Sequence, residues 1–255
     1  MWGSNLIPEK FFFDGNFEVV LADSPESRRI HYNLRYQVYC DEMGFEDKDK
    51  FPDRMEIDEW DHDAVHFLVR HKASGHWLGG LRLVLSNNPT FPFEELSSLD
   101  QKIVRTERQF SVEISRLCIT REARRFVAKR STLFDLQDQE LSDESGNVKS
   151  IFNYNNHSRS IMWGLFRAAV VYSAQQNIKH WYFIVAPALA SYIRKQGVDM
   201  YQIGAPCHHR GLRIPCRMGV DNILANPLWL NDYKKDFRRY SELMGESTRK
   251  RRVFC

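Results

Sequence analysis

The hydrophobic positions of this chain change their spacing several times, and each change marks an element. Phe17 to Leu21 reads as a short strand at the end of an arm formed by residues 1–23. Ser24 then offers a capping hydroxyl and Pro25 suits a first helical turn. Ile30, Leu34 and Val38 recur every four residues, which predicts a helix with one buried stripe. Arg35 and Tyr39 share another face of that helix. Residues 46–63 are polar and acidic and predict loop. Ala64 to Arg70 and Trp77 to Leu85 predict two strands, and residues 71–76 join them as a hairpin. Pro89 and Pro92 break the chain before Phe110 to Ile119, which alternates as a strand. Val112, Ile114 and Arg116 are expected on one of its faces, and Glu113, Ser115 and Leu117 on the other. Residues 131–157 are polar and predict an insertion. Ser158 to Gln176 has a helical stripe of Ile161, Leu165, Ala169 and Tyr172. A buried strand, Trp181 to Ala186, and a short helix, Pro187 to Lys195, closed by Gly197, come next. One or two further strands are expected between Met200 and Leu224.

This order predicts an α/β fold: a single mixed, mostly antiparallel sheet with helices on both faces. With no internal repeat and no second apolar run, residues 1–255 read as a single domain. A polar insertion is expected at about 131–157 and a mobile basic tail at about 246–255. The composition, 43% hydrophobic and 27% charged, is that of a globular chain. The longest nearly apolar run, Trp181 to Ala190, is about half the ~20 residues a spanning helix needs. Phe11 to Phe13 lack the basic region and apolar core of a secretory signal. The five cysteines are scattered, with no CxxC pair, which favours a reducing, cytoplasmic setting.

The net charge of +3 is uninformative, but its distribution is not. Asp41 to Asp63 holds eleven carboxylates against Lys48, Lys50 and Arg54, whereas Arg116 to Arg130 holds six cations against Glu122. These are either two solvated surfaces or faces for two different partners. Phosphate-loop, dinucleotide, HExxH and GxSxG motifs are absent. Cys207, His208, His209 and Cys216 match no common zinc spacing, so no metal is expected.

Four local patterns remain: Arg35-Tyr36-Gln37-Val38-Tyr39 with Phe45 beyond it; Glu56-Ile57-Asp58-Glu59-Trp60-Asp61; Gly79-Gly80-Leu81-Arg82-Leu83; and Val112-Glu113-Ile114-Ser115-Arg116-Leu117. In this order they resemble the acyl-homoserine-lactone autoinducer synthases, a branch of the Gcn5-related N-acyltransferase superfamily. The matching positions are Arg35, Tyr39, Phe45, Asp58, Asp61, Arg82, Glu113 and Arg116, within residues 17–120. The chain length, the polar insertion and the strand around Ile114 to Ile119 look more like the acyltransferases of PEP-CTERM/exosortase systems and the N-acyl amino acid synthases. Tyr39 and Phe45 stand where the autoinducer synthases usually carry phenylalanine and tryptophan, which puts a homoserine-lactone product in doubt.

The resemblance implies an N-acyltransferase whose sheet splays in a V between the Glu113 strand and the one starting near Trp181. A fatty acyl group would pass from a thioester to the amine of an amino acid or related acceptor. Glu113 is the expected base, with Asp58, Asp61, Arg82 and Arg116 beside it and Arg35, Tyr39 and Phe45 binding substrate. A β-bulge is needed for Glu113 and Arg116 to meet. Backbone amides near Leu117, Cys118 and Ile119 would polarise the thioester. The stretch Thr120 to Phe126 lacks the glycines of a pyrophosphate loop, which favours an acyl-carrier-protein donor over acyl-CoA, with no bound cofactor. Arg121, Arg124, Arg125, Lys129 and Arg130 would then dock the acidic carrier. An autoinducer synthase using S-adenosylmethionine and a non-catalytic carrier- or lipid-binding protein are the alternatives. Nucleic acid is not expected, because the basic residues lack interleaved aromatics.

Overall fold

The computed structural model describes residues 13–125, 156–230 and 232–253. After a short turn, α1 (Phe13–Asn16), the chain enters β1 (Phe17–Leu21) and then α2 (Pro25–Tyr36). Ser24 and Ser27 cap α2 reciprocally: the Ser27 amide donates to Ser24 Oγ at 3.2 Å, and the Ser24 amide donates to Ser27 Oγ at 3.0 Å. The helix does not stop at Tyr36. It widens into a π-helical turn, Gln37–Glu42, where the Met43 amide reaches back five residues to the Val38 carbonyl. Such turns cluster at functional sites because they re-aim side chains without ending a helix.

The remaining elements are β2 (Ala64–His71), β3 (Trp77–Leu85), α3 (Pro92–Leu96), α4 (Arg105–Arg108), β4 (Ser111–Ile119), α5 (Arg121–Arg125), α6 (Asn156–Gln175), β5 (His180–Val185), α7 (Pro187–Lys195), β6 (Met200–Gln202), β7 (Cys207–His208), β8 (Leu212–Gly219), α8 (Val220–Leu224), β9 (Arg238–Arg239) and α9 (Tyr240–Val253). The sheet runs β6-β8-β5-β4-β3-β2-β1-β9, with β7 paired to β8. The β4–β5 and β1–β9 pairs are parallel and the others antiparallel. The strand alternation therefore gives the expected mixed, mostly antiparallel sheet.

The two faces differ in chemistry. Phe67, Leu81, Leu83, Val112, Ile114 and Phe183 point to one side, into the main core beneath α6 and α7. Neighbouring positions His66, Gly80, Arg82 and Glu113 point the opposite way, towards α2 and the acidic loops. Gly80 is required there: a Cβ would sit 2.7 Å from the His31 ring of α2 and 2.9 Å from the Phe67 carbonyl.

Two irregularities in β4 shape the centre of the molecule. First, β4 pairs with β5 only from Ser111 to Glu113, opposite His180 to Tyr182. Beyond that point the two strands diverge while β5 stays paired with β8 out to Val185, so the sheet opens in the expected V. Second, the register slips against β3: Gly80 faces Cys118 but Arg82 faces Ser115, so Arg116 and Leu117 together oppose Leu81. Arg116 takes the left-handed conformation, φ 51°. This β-bulge reverses the parity of the strand. Contrary to simple alternation, Arg116 joins Glu113 and Ser115, while Leu117 packs against the main core.

The insertion expected at 131–157 falls almost wholly outside the described residues. The stretch from 246, expected to be a mobile tail, is helical as far as Val253.

Candidate active site

The acidic loop between α2 and β2 is folded tightly rather than solvated throughout. The Glu56 amide donates to the Tyr32 carbonyl of α2 at 3.2 Å. Asp58 caps a 3₁₀ turn, Glu59–Asp63, by accepting from the Trp60 amide, and Asp61 Oδ2 returns to the Asp58 amide at 2.8 Å. The three-residue spacing of the two aspartates is thus the spacing of a capped turn. It leaves the other oxygen of each carboxylate directed at the sheet.

Three arginines meet these acids. Arg35 pairs with Glu56 and, at 2.5 Å, with Asp61. Arg82 pairs with Asp61 at 3.0 Å and with Asp58 at 2.5 Å. Arg116 pairs with Asp58 at 2.8 Å and with Glu56 at 3.0 Å. The six groups form a closed ring in which each acid lies between two arginines and each arginine between two acids, and Arg35 also reaches Asp58 across it at 4.0 Å. Arg35 and Arg82 are fully buried, as are Glu56 and Asp61, whereas Asp58 and Arg116 keep partial exposure. Burial opposes ionisation of Glu56 and Asp61, but the flanking guanidiniums outweigh it and hold both carboxyls below the usual range. Arg82 Nε also donates to Ser115 Oγ at 3.0 Å.

Glu113 lies beside this ring but outside it. It is 3% exposed, and its Oε2 accepts from the Phe93 amide at 2.8 Å. Burial dominates its titration. The Phe93 N–H, Arg82 and Arg116 offset only part of the effect, and the carboxyl is pushed up to about 8. In this it is the opposite of Glu56 and Asp61, whose carboxyls are held low.

The V opens into a cleft between β4 and β5. Its polar part presents Glu113, Ser115, Arg116, Tyr39 and Phe45. Its apolar part, reached through the slot between β4 and β5, presents Ile114, Phe166, Phe183, Val185, Leu189 and Ile193. Of the residues singled out in the sequence, Tyr39, Phe45, Glu113, Arg116 and Leu117 line the cleft. Arg35, Asp58, Asp61, Arg82, Cys118 and Ile119 do not. Arg35 is enclosed by Glu56 and Asp61 and presents no surface to a bound molecule. The Tyr39 hydroxyl donates to the Leu117 carbonyl at 3.0 Å, tying the π-helical turn to the bulge. Arg121 is exposed, and its amide donates to both oxygens of Glu42, at 2.8 and 3.0 Å. The side chains of Arg124 and Arg125, and all of Lys129 and Arg130, lie outside the described residues.

Sequence reasoning passed over Glu56, which sits within a recognised motif but is one acid among eleven in its district. It passed over Arg210 and Arg213 and weighed His209 only as a metal ligand, yet all three reach the cleft from the β7–β8 hairpin. Gly211, with φ 95°, was the single local signal of that turn.

Residues 34–133 match the acetyltransferase (GNAT) domain family. No curated protein matches the sequence. Among solved structures, the chain is similar to TofI, determined in a ternary complex with an inhibitor and MTA, at 19% identity over 82% of this chain and 95% of that one, TM-score 0.54. It is similar to BjaI, a CoA-dependent acyl-homoserine lactone synthase, at 14% identity over 88% and 93%, TM-score 0.59. It is also similar to FeeM, an N-acyl amino acid synthase from uncultured soil microbes, at 11% identity over 84% and 96%, TM-score 0.51. The chain is an acyltransferase whose residues 34–133 match the acetyltransferase (GNAT) domain family and whose fold is similar to that of these synthases.

Proposed function

We propose that the protein transfers a fatty acyl group from a carrier thioester to the amine of an amino acid, with Glu113 as the base. The observation that carries this reading is the position of Glu113: a buried carboxyl titrating near 8, at the junction of a polar and an apolar compartment. An ammonium group entering the polar part has a proton acceptor closer to its own affinity than an ordinary carboxylate, which favours general-base catalysis. An acyl chain entering the slot has the apolar walls of α6, α7 and β5 to cover it.

In the reaction the amine gives its proton to Glu113, directly or through water, and its lone pair attacks the thioester carbonyl. The C–N bond forms, the C–S bond breaks, and the departing thiolate takes up a proton. The edge of β4 beyond Glu113 has no ladder partner on β5, so amides of the Ile114 to Ile119 stretch are candidates to polarise the carbonyl oxygen. One such donor is worth roughly 3–4 kcal/mol. The arginine–carboxylate ring acts through position: it fixes Arg116, and with it the bulge, against α2 and the acidic loop.

The preference for a carrier protein over free acyl-CoA is part of the proposal. BjaI is CoA-dependent, so the fold by itself does not decide the donor. Here Glu42 occupies the amide of Arg121 at the end of β4, and a carboxylate there repels the phosphates of CoA. The segment Arg121 to Arg130 would dock the acidic carrier. The test is mass spectrometry of reactions containing lauroyl carrier protein or lauroyl-CoA with a pool of amino acids, and separately with S-adenosylmethionine. N-lauroyl amino acids with the carrier donor support the proposal. Lactone formation from S-adenosylmethionine alone, or thiol release unaffected by any amine, would overturn it.

A further inference from the structure

Among the described residues, ion pairing in the cleft leaves one cation over. The ring of Arg35, Arg82 and Arg116 with Glu56, Asp58 and Asp61 is balanced charge for charge. Glu113 forms no ion pair among the described residues and accepts instead from the Phe93 amide. The β7–β8 hairpin adds the rest. It turns through Arg210 and Gly211, both in the left-handed region at φ 52° and 95°, and pairs Cys207 with Arg213. Ile214 pairs with Val185, the last residue of β5, so the turn overhangs the open end of the V. Arg210 spans the opening, pairing with Glu46 and lying 5.4 Å from the centre of the Tyr39 ring. Burial and the neighbouring Arg116 and Arg213 lower the proton affinity of His209.

Arg213 remains. Among the described residues it faces no carboxylate. Its guanidinium donates only to the backbone carbonyls of Leu212, at 2.9 Å, and Arg210, at 2.7 Å. A guanidinium has five N–H donors, so three are left on a side chain that lines the same cleft as Glu113. A partly buried arginine with no counter-ion is an unfinished interaction, and a bidentate oxyanion completes it.

We propose that Arg213 binds the carboxylate of the acceptor, so that the substrate is an anionic amine such as an α-amino acid rather than a simple amine. This inference rests on the N-acyl transfer proposed above. Glu113 and Arg213 divide the two charged ends of the acceptor, proton exchange at one and anchorage at the other. The phosphodiester of a pantetheine arm is the other oxyanion available, but it lies many bonds from the reacting carbonyl.

The test measures binding as well as turnover. By calorimetry, N-lauroylglycine should bind the unmodified protein roughly 10- to 100-fold more tightly than N-lauroylglycinamide, the range expected of a charge-assisted pair. In Arg213→Gln that preference should vanish, and Arg213→Lys should restore part of it. In turnover, the loss in Arg213→Gln should appear as a raised KM for the amino acid, with its α-carboxamide little changed. Equal losses for both acceptors would mean that Arg213 only shapes the hairpin. A preference that persists in Arg213→Gln, or is absent from the unmodified protein, would overturn the proposal. Weakened binding of 4′-phosphopantetheine with N-lauroylglycine unaffected would assign the anion to the donor instead. If the carboxylate preference depends on Arg213 but no amine is ever acylated, the anion site stands and the N-acyl transfer reading fails.

Discussion

Replacing Glu113 with glutamine separates what this residue does for catalysis from what it does to the fold. The carboxyl is raised from an ordinary value near 4.5 to about 8 because burial disfavours its charge. A group raised in this way contributes its full stability below about pH 4.5, and that contribution is lost as pH rises through about 8. At 1.36 kcal/mol for each tenfold change in proton affinity, the loss is about 5 kcal/mol at most. Relaxation and water entry bring the expectation to about 2–5 kcal/mol. Glutamine keeps an oxygen to accept from the Phe93 amide and carries no charge at any of these pH values. Glu113→Gln should therefore gain on the parent protein between pH 5 and pH 9 by about that amount, or roughly 5–15 °C in melting temperature for a chain of this size. Over the same range its kcat/KM should fall by about 10²–10⁴-fold. Urea titrations at pH 5, 7 and 9, run beside a thiol-release assay, measure both. If the two proteins keep a constant stability difference across this range, Glu113 titrates as an ordinary carboxylate and the reasoning fails. If stability diverges as expected but turnover is unchanged, Glu113 is buried for another reason and is not the base.

Three further outcomes follow from the geometry. Glu56→Gln removes one charge from between Arg35 and Arg116 and should cost about 3–5 kcal/mol, read as a lower urea midpoint at neutral pH; no loss would mean that the ring is not closed in solution. Glu42→Ala frees the Arg121 amide and should lower the KM for acyl-CoA while leaving that for the acyl carrier protein nearly unchanged, and parallel changes for both donors would count against the carboxylate as a discriminator. Gly80→Ala places a methyl group against the His31 ring and the Phe67 carbonyl and should destabilise by about 1–3 kcal/mol, whereas Gly75→Ala meets no neighbouring atom and should show only the cost of its left-handed backbone.

Sequence reading and structure agree where a period governs. The ends of β1 and β3 and the start of α2 are legible because alternation, a capping serine and a first-turn proline act locally. They part where geometry depends on a distant partner. Arg116 changes face because the bulge inserts a residue against β3, and no count along β4 alone reveals it. The acidic loop mixes solvated carboxylates with two buried ones, and only the arrival of Arg35, Arg82 and Arg116 from other segments determines which are which. The hairpin of Arg210 and Arg213 carries little local pattern beyond Gly211, yet it closes over the cleft because β8 follows β5 to its end. The π-helical turn after Tyr36 has no periodicity of its own, since it prolongs a helix already begun.

The closed ring of three arginines and three acids also constrains how this protein can change. Each member has two neighbours of opposite sign, so replacing any one of them strands two others in a largely buried setting. Variation there must arrive in compensating pairs, across segments as far apart as Arg35 and Arg116. Away from the Arg210–Glu46 pair the cleft rim carries no such coupling, so Phe45, His209 and Arg213 can be exchanged singly at modest cost. A lineage built on this scaffold should therefore diversify its acceptor at the rim while its centre stays fixed, and a library aimed at new acceptors should randomise Phe45, His209 and Arg213 while leaving the ring intact.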